Sequence, residues 1–203
     1  MKTRSILSLV AMLMAFHAYS QGFVYDQQSA TSQAGGSGAP IQADQPMGQS
    51  FMPTLPSVSF VQLEFLDFPT NGLGATVFVN LWSGSISNGT LLSSTDPVFI
   101  PDGAFNLITN FLFPASVAVT PETTYFLQPY VQSGDPGMDV VGSATFNYPG
   151  GTFYAYGAPD PNNHDLWFRE GMVAVPEPST MALALIGSGI FFYARRRHKK
   201  SVP

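Results

Sequence analysis

Hydrophobic and polar residues alternate along the middle of this 203-residue chain. In the segment ATVFVNLW, residues 75–82, the apolar side chains at every second position share one face. The same period of two recurs in residues 61–65, 105–113 and 125–131. A period of two is typical of a β-strand with one buried face. In those three segments the positions predicted to point inward are Val61, Leu63, Phe65, Phe105, Leu107, Phe111, Phe113, Tyr125, Leu127 and Val131.

Turn-forming sequences separate these strands from shorter ones. They combine Gly, Pro, Asn and Asp, as in Asn71-Gly72 and Asn88-Gly89, because these residues favour tight turns. Further strands are predicted at residues 49–52, 91–94, 98–100, 140–148, 152–156 and 165–168. Many short strands at this spacing indicate an all-β fold, an antiparallel β-sandwich of jelly-roll type.

The organisation along the chain follows from these patterns. The sandwich is assigned to residues 47–172, and a polar lead-in with the first strand to residues 21–46. Within the lead-in, residues 27–45 are polar and of low complexity, which favours a surface loop. Residues 1–20 and 173–203 flank this domain and have a different composition.

The first twenty residues have the pattern of a secretory signal peptide. Lys2 and Arg4 precede an apolar run at residues 6–16, and the small residues Ala18 and Ser20 follow it. This order predicts a signal helix that signal peptidase removes before Gln21. An uncleaved membrane helix is the alternative.

The C-terminal segment, residues 173–203, contains a short apolar run at residues 181–194. As a helix these fourteen residues would be about 21 Å long, shorter than the roughly 30 Å hydrocarbon core of a bilayer. The basic tail at residues 195–200 predicts a cytoplasmic end. Pro176 and Pro178 keep Glu177 in an extended segment before the helix, where a membrane-bound enzyme could read it.

This tripartite order resembles the PEP-CTERM sorting signal of Gram-negative bacteria. The resemblance is carried by Val175, Pro176, Glu177, Pro178 and Ser179, by the apolar helix, and by the basic stop Arg195, Arg196 and Arg197. It implies processing by exosortase, a transpeptidase-like membrane enzyme encoded with exopolysaccharide genes. It also implies transient anchoring in the inner membrane through residues 181–194, then delivery to the cell surface or extracellular matrix. A plain single-pass membrane protein is the alternative.

Charge and cysteine content exclude several functions. Seven of the eight Lys and Arg residues lie at residues 2–4 and 195–200. Residues 5–194 between them contain all thirteen acidic residues and one basic residue, Arg169, so their formal charge is −12. Such a surface repels phosphates, and nucleic-acid binding is not expected. The chain has no cysteine, which excludes disulfides, metal–thiolate sites and a cysteine nucleophile.

Catalytic patterns are absent from the sequence. His164 is the one histidine between the two terminal segments, and no G-x-S-x-G nucleophile motif accompanies it. Glu64, Glu122 and Glu170 could supply paired carboxylates for glycoside cleavage, but their spacing singles out no pair. We therefore expect a protein that is not an enzyme.

Two binding sites are candidates. Asp160, Asn162 and Asp165 form an oxygen-rich segment that could hold calcium. The segment lacks the glycine and late glutamate of an EF-hand loop, and turn formation by Asp and Asn explains it equally well. Asp135 and Asp139 form a second such loop. No other cofactor is expected.

The second candidate is a sugar-binding surface. In residues 165–169, Asp165, Trp167 and Arg169 share one face of a strand, where an indole beside charged groups could stack on a sugar. Trp82, with Phe78 and Asn80 on its face, is another candidate platform. The alternative is that both tryptophans cover the edge of the core and that Arg169 pairs with an acid such as Asp165 or Glu170.

The sequence therefore predicts an exported, non-catalytic β-sandwich with a structural or adhesive role outside the cell. Exopolysaccharide is the candidate partner. A carbohydrate-binding module is the first alternative, and an enzyme acting on polysaccharide is the second.

Overall fold

A computed structural model describes residues 22–32, 35–68 and 70–174 of the chain. The predicted signal helix, the Pro-Glu-Pro motif and the apolar helix at residues 181–194 lie outside these residues. Phe23–Val173 form one compact unit. No helix within the described ranges is long and apolar enough to cross a membrane.

Fourteen strands occur among the described residues, and their bounds in chain order are as follows. They are β1 (Gly22–Gln28), β2 (Ser37–Pro40), β3 (Gly48–Phe51), β4 (Ser57–Leu66), β5 (Ala75–Ser83), β6 (Thr90–Ser94), β7 (Val98–Ile100), β8 (Phe105–Ala118), β9 (Tyr125–Gly134), β10 (Asp139–Ser143), β11 (Phe153–Ala155), β12 (Ala158–Pro159), β13 (Asp165–Leu166) and β14 (Phe168–Ala174).

The strands form two antiparallel sheets of seven strands each. The first sheet runs β1-β14-β4-β10-β13, with β2 beside β10 and β8 beside β4. The second sheet runs β12-β11-β3-β9-β5-β6, with β7 beside β5. The prediction of an all-β, antiparallel fold is confirmed.

The core lies where the inner faces of the two sheets meet. In β4 and β5 the residues with a period of two are fully buried: Val61, Leu63, Phe65, Val77, Val79 and Leu81. They form one apolar cluster together with Leu127 of β9 and Phe168 of β14. Each Å² of apolar surface that is buried stabilises the folded state by about 25 cal/mol. Such a cluster is therefore the main stabilising element of the fold. The alternation in these strands therefore predicted the inner face.

One inward position in β8 was predicted wrongly. Phe111 and Phe113 are buried as expected, but Phe105 is 76% exposed. Phe65 pairs with Leu107, whereas the next residue, Leu66, pairs with Phe105. The extra residue Asn106 has a φ of 51°. Such a bulge changes the side of the sheet on which the preceding residue lies, which explains the exposure of Phe105.

The polar lead-in is more ordered than its composition predicts. Residues 27–45 were expected to be a loop, yet β1 extends to Gln28 and β2 pairs with β10. The close approach of β2 requires glycine, because a Cβ on Gly38 would lie 2.1 Å from Oδ2 of Asp139. Pairing through the backbone needs no hydrophobic period, so the sequence pattern could not reveal this strand.

Candidate functional sites

Trp167 lies between β13 and β14 and is fully buried. Its ring packs in a small apolar cluster with Val141 and Phe146, apart from the main core. Its Nε1 donates a hydrogen bond to the carbonyl oxygen of Ser32 (2.8 Å). The prediction of an exposed stacking surface at Trp167 is corrected: the lead-in covers this ring, so it is not available to a ligand.

Arg169 contacts the lead-in segment that covers Trp167 and holds that segment in place. Its guanidinium group lies 4.8 Å from the ring centroid of Trp167 and 5.3 Å from that of Tyr25. Its Nε donates to the carbonyl oxygen of Ala30 (3.0 Å). A cation between two aromatic rings is stabilising. Arg169 thus contacts the lead-in, and it does not pair with Asp165 or Glu170, the acids that the sequence suggested. The ion pair found among the described residues joins His164 to Asp160.

Asp165 is buried and connects the two sheets. Its Oδ1 accepts a hydrogen bond from Nε2 of Gln49 in β3 (2.8 Å), and its Oδ2 accepts one from the backbone N–H of Tyr148 (2.9 Å). Oε1 of Gln49 in turn accepts from the backbone N–H of Leu166 (2.8 Å). Burial raises the pKa of Asp165 above its ordinary value. These contacts give Asp165 a role in joining β13 to β3.

Asp160 closes the loop that precedes β13. Its Oδ2 accepts hydrogen bonds from the backbone N–H groups of Asn162 (3.1 Å) and His164 (3.0 Å) and lies 2.7 Å from Nδ1 of His164. Partial burial acts to raise the pKa of Asp160, but these bonds outweigh it and lower the pKa. This is the turn geometry that was the alternative to a calcium loop.

The calcium candidates have different partners in the structure. Asp160 bonds to its own loop, whereas Asp165 bonds to Gln49 and Tyr148. Across the described ranges, no group of three or more His, Cys, Asp or Glu side chains is placed to hold a metal ion. Asp135 accepts a hydrogen bond from the N–H of Gly137 in its own loop and another from Nδ2 of Asn71, which is 64 residues earlier in the chain (2.7 Å each).

A cavity of about 180 Å³ opens beside β2. It is lined by Ser37, Gly38, Ala39, Pro40, Asp44, Gly142, Phe153, His164 and Leu166. Asp44 is the one carboxylate in this lining, and its Oδ1 accepts a hydrogen bond from the hydroxyl of Tyr156 (2.7 Å). The cavity therefore lacks the two facing carboxylates that glycoside cleavage requires.

The outer face of the second sheet carries a regular set of side chains that we call the aromatic–amide face. Three directly opposed pairs join β5 to β9: Phe78 with Tyr130, Asn80 with Gln128, and Trp82 with Phe126. Directly opposed residues lie on the same side of a sheet. The face is thus an amide pair between two aromatic pairs.

Hydrogen bonds and ring contacts order this face. Oε1 of Gln128 accepts from Nε1 of Trp82 (2.7 Å) and from Nδ2 of Asn80 (3.3 Å). The rings of Phe78 and Tyr130 are 5.5 Å apart. Phe78, Asn80 and Trp82 are half-buried and Tyr130 is 37% exposed, whereas Phe126 and Gln128 are buried. Trp82, unlike Trp167, therefore remains in contact with solvent.

Glu170 is a carboxyl group that is fully buried, and the sequence did not predict this burial. Its Oε1 accepts a hydrogen bond from the backbone N–H of Gln27 in β1 (3.2 Å). Burial, together with the nearby charge of Asp26, raises the pKa of Glu170 to about 8. At neutral pH this side chain is therefore mostly protonated.

Asp26 lies beside Glu170 and fixes the neighbouring loop. It accepts hydrogen bonds from the backbone N–H groups of Thr54 (2.7 Å) and Leu55 (2.9 Å) and from the hydroxyl of Thr54. Partial burial acts to raise the pKa of Asp26, but these bonds outweigh it and hold the pKa below its ordinary value. Asp26 and Glu170 together attach β1 to the rest of the first sheet.

Asp139 is, after Glu170, the second described carboxyl group with a large change in pKa. Burial and the charges of Asp44, Asp67 and Asp135 raise the pKa of Asp139 to about 6. Glutamates and aspartates that become buried have no local sequence signature, because neighbours distant along the chain bury them.

Comparison with known families identifies the C-terminal segment. Residues 174–198 match the model of the PEP-CTERM protein-sorting motif. No curated protein is similar to this chain at a significant level. The predicted sorting signal is confirmed, and it covers the residues that follow the last strand of the first sheet.

The fold and this motif define a class of protein: an all-β domain followed by a PEP-CTERM protein-sorting motif. The motif implies export, transient anchoring in the membrane and processing by an exosortase-type membrane enzyme.

Proposed function

We propose that this protein is a non-catalytic structural or adhesive component of the cell surface or extracellular matrix. In this proposal signal peptidase removes residues 1–20, and the exosortase-type enzyme removes the C-terminal helix and basic tail. The released jelly-roll-like sandwich then works among extracellular polysaccharides.

The observation that carries the proposal is the position of the sorting motif. It begins at residue 174, where β14 (Phe168–Ala174) ends, so cleavage near Pro176–Pro178 would leave the strand whole. A core closed without disulfides suits a protein that must persist after release. The formal charge of −11 over residues 22–174, from twelve acidic residues and Arg169, keeps such a domain soluble at high density.

The test is the intact mass of the protein recovered from the producing cells. The proposal expects a species without residues 1–20 and without Arg195–Arg197, found outside the inner membrane. Recovery of the full basic tail in the inner membrane fraction would show a permanent single-pass anchor and contradict the proposal.

Variants at the motif sharpen this test. Replacing both Pro176 and Pro178 with alanine should retain the tail, because an alanine segment can continue the helix where the prolines prevent it. Thr180→Ala, directly after the five motif residues 175–179, is the matched control and should mature normally. Equal processing of both variants would show that the Pro-Glu-Pro segment is not what the enzyme recognises.

A further inference from the structure

We propose that the aromatic–amide face binds an uncharged polysaccharide chain. The face consists of Phe78, Asn80 and Trp82 of β5 and of Tyr130, Gln128 and Phe126 of β9. The inference specifies a ligand for the adhesive role proposed above, and it rests on that role only in placing the protein among extracellular polysaccharides.

The spacing of the face suits a chain of sugar rings. Successive residues on one face of a strand are about 7 Å apart, so the two aromatic pairs lie about 14 Å apart with the amide pair midway. A pyranose has C–H faces that pack on aromatic rings and hydroxyl edges that bond to amides. A sugar chain lying along β5 would therefore meet Tyr130 and Phe78 first, the amide of Asn80 next, and Trp82 last, while Gln128 is buried and supports Asn80 and Trp82 from the side.

The side chains of the face are held in position before any ligand arrives. Oδ1 of Asn80 accepts from Oγ of Ser94 (2.6 Å), and Nε2 of Gln128 donates to Oε1 of Gln45 (2.8 Å). Together with the bond from Trp82 to Gln128, these contacts fix the indole and both amides. Groups that are already ordered lose little conformational entropy on binding. A primary amide has two N–H donors, and the half-buried Asn80 uses one of them on Gln128.

Charge distinguishes a neutral glycan from other occupants of this face. None of the six side chains is charged, in a domain whose twelve acidic residues and single Arg169 within residues 22–174 give a formal charge of −11. Nucleic acids and acidic polysaccharides would be repelled, and a second copy of the domain would carry the same charge. Insertion into lipid would leave the amide pair in hydrocarbon, which is costly. An uncharged chain with hydroxyl groups meets none of these penalties.

The test is a fluorescence titration of the exported protein purified from the producing cells. The probes are cellohexaose, laminarihexaose and the neutral fraction of the cells' own polysaccharide, with alginate as the anionic comparison. The chain has two tryptophans, and Trp167 is fully buried, so a saturable change reports on Trp82. At least one neutral probe should give such a change, and alginate should give none.

Matched variants separate this face from other exposed rings. Tyr130→Ala should weaken binding at least tenfold, and Phe78→Leu, which keeps the apolar volume but removes the ring, should weaken it several-fold. Phe105→Ala removes a more exposed ring outside the face and should leave the affinity unchanged. A single cooperative urea unfolding transition in each variant shows that the domain is folded.

The inference is overturned if no neutral probe binds, if alginate binds more tightly than the neutral probes, or if Tyr130→Ala and Phe105→Ala bind equally well. Failure here is distinguishable from failure of the proposed function. A protein that loses its tail normally but binds no glycan disproves only the ligand. A protein that keeps its tail in the membrane yet binds a glycan disproves only the sorting and release.

Discussion

The outer faces of the two sheets differ in what covers them, although each carries a tryptophan, Trp82 in β5 and Trp167 between β13 and β14. Trp167, on the first sheet, is fully buried beneath a lead-in segment that is 135 residues away along the chain. Trp82, on the second sheet, is half-buried and bonds to Gln128 in the adjacent strand. The alternation of apolar and polar residues in a strand predicts which residues lie on the outer face of the sheet. Whether that face meets solvent depends on segments that are distant along the chain. The comparison therefore favours the second sheet as the binding surface.

The largest expected effect is on stability, from Trp167→Ala. Removing a fully buried indole should lower the free energy of unfolding by about 3–5 kcal/mol, because both burial and packing are lost. Trp82→Ala should cost only about 1 kcal/mol, since its ring is partly exposed already. Urea unfolding of the two variants measures the difference. Equal losses would mean that the two faces are equally covered.

The next largest effect is the change of stability with pH, through the attachment of β1. This strand is part of the lead-in that covers the outer face of the first sheet. The pKa of Glu170 is about 8 in the folded protein, above its ordinary value of 4.5. The folded state then binds the proton more tightly than the unfolded state, so stability falls as pH rises from about 4.5 to about 8. Asp139, with a pKa of about 6, acts in the same direction over the lower part of this range.

Glu170→Gln should remove most of this dependence and stabilise the protein at pH 8 by about 2 kcal/mol. The measurement is urea unfolding at pH 5 and at pH 8. In the wild type, acrylamide should also quench Trp167 more strongly at pH 8.5 than at pH 5, while quenching of Trp82 stays constant. A pH-independent stability in the wild type would show that the Glu170 carboxyl group is hydrated.

A smaller effect is expected from Arg169→Gln. The substitution removes the cation between Tyr25 and Trp167 and the bond to the carbonyl oxygen of Ala30. Stability should fall by about 1–2 kcal/mol, and the emission of Trp167 should shift to longer wavelength as the cover loosens. Arg169→Lys keeps the charge but loses the planar stacking, so an intermediate result is expected. Full stability in both variants would contradict a role for Arg169 in holding the lead-in.

The smallest stability effect is expected on the second sheet. Tyr130→Ala removes a ring that is 37% exposed and packs at 5.5 Å on Phe78, so the loss should be below about 1 kcal/mol. Thermal unfolding of this variant beside Phe105→Ala is the measurement. A loss of several kcal/mol would show that the Tyr130 ring is part of the core and not of a binding surface.

Particular residues show how far local pattern predicts this structure. The strict alternation of residues 75–82 predicted β5 and its buried face, because every inward residue packs on the same core. In β8 the pattern was wrong at Phe105, where one bulged residue, Asn106, changed the side of the strand. At β2 no hydrophobic pattern existed, since Gly38 and its neighbours pair through the backbone alone.

The candidate sites also differ in how far the sequence predicted them. The sorting motif was predicted because it consists of residues adjacent in the sequence, and the family model matches it at residues 174–198. The sugar candidate at Trp167 was misplaced, and the calcium candidates Asp160 and Asp165 have separate structural partners. The raised pKa of Glu170 was not foreseen, since its burial depends on Gln27 and Asp26, about 143 residues earlier.

The sequence by itself determined the class of fold, the sign of the surface charge and the sorting signal, because each depends on composition or on neighbours along the chain. Only the tertiary structure decided which tryptophan meets solvent, which carboxyl groups keep a proton, and that three side-chain pairs of β5 and β9 form one face. The reason is physical: burial and strand register join residues far apart in sequence, and no local pattern records them.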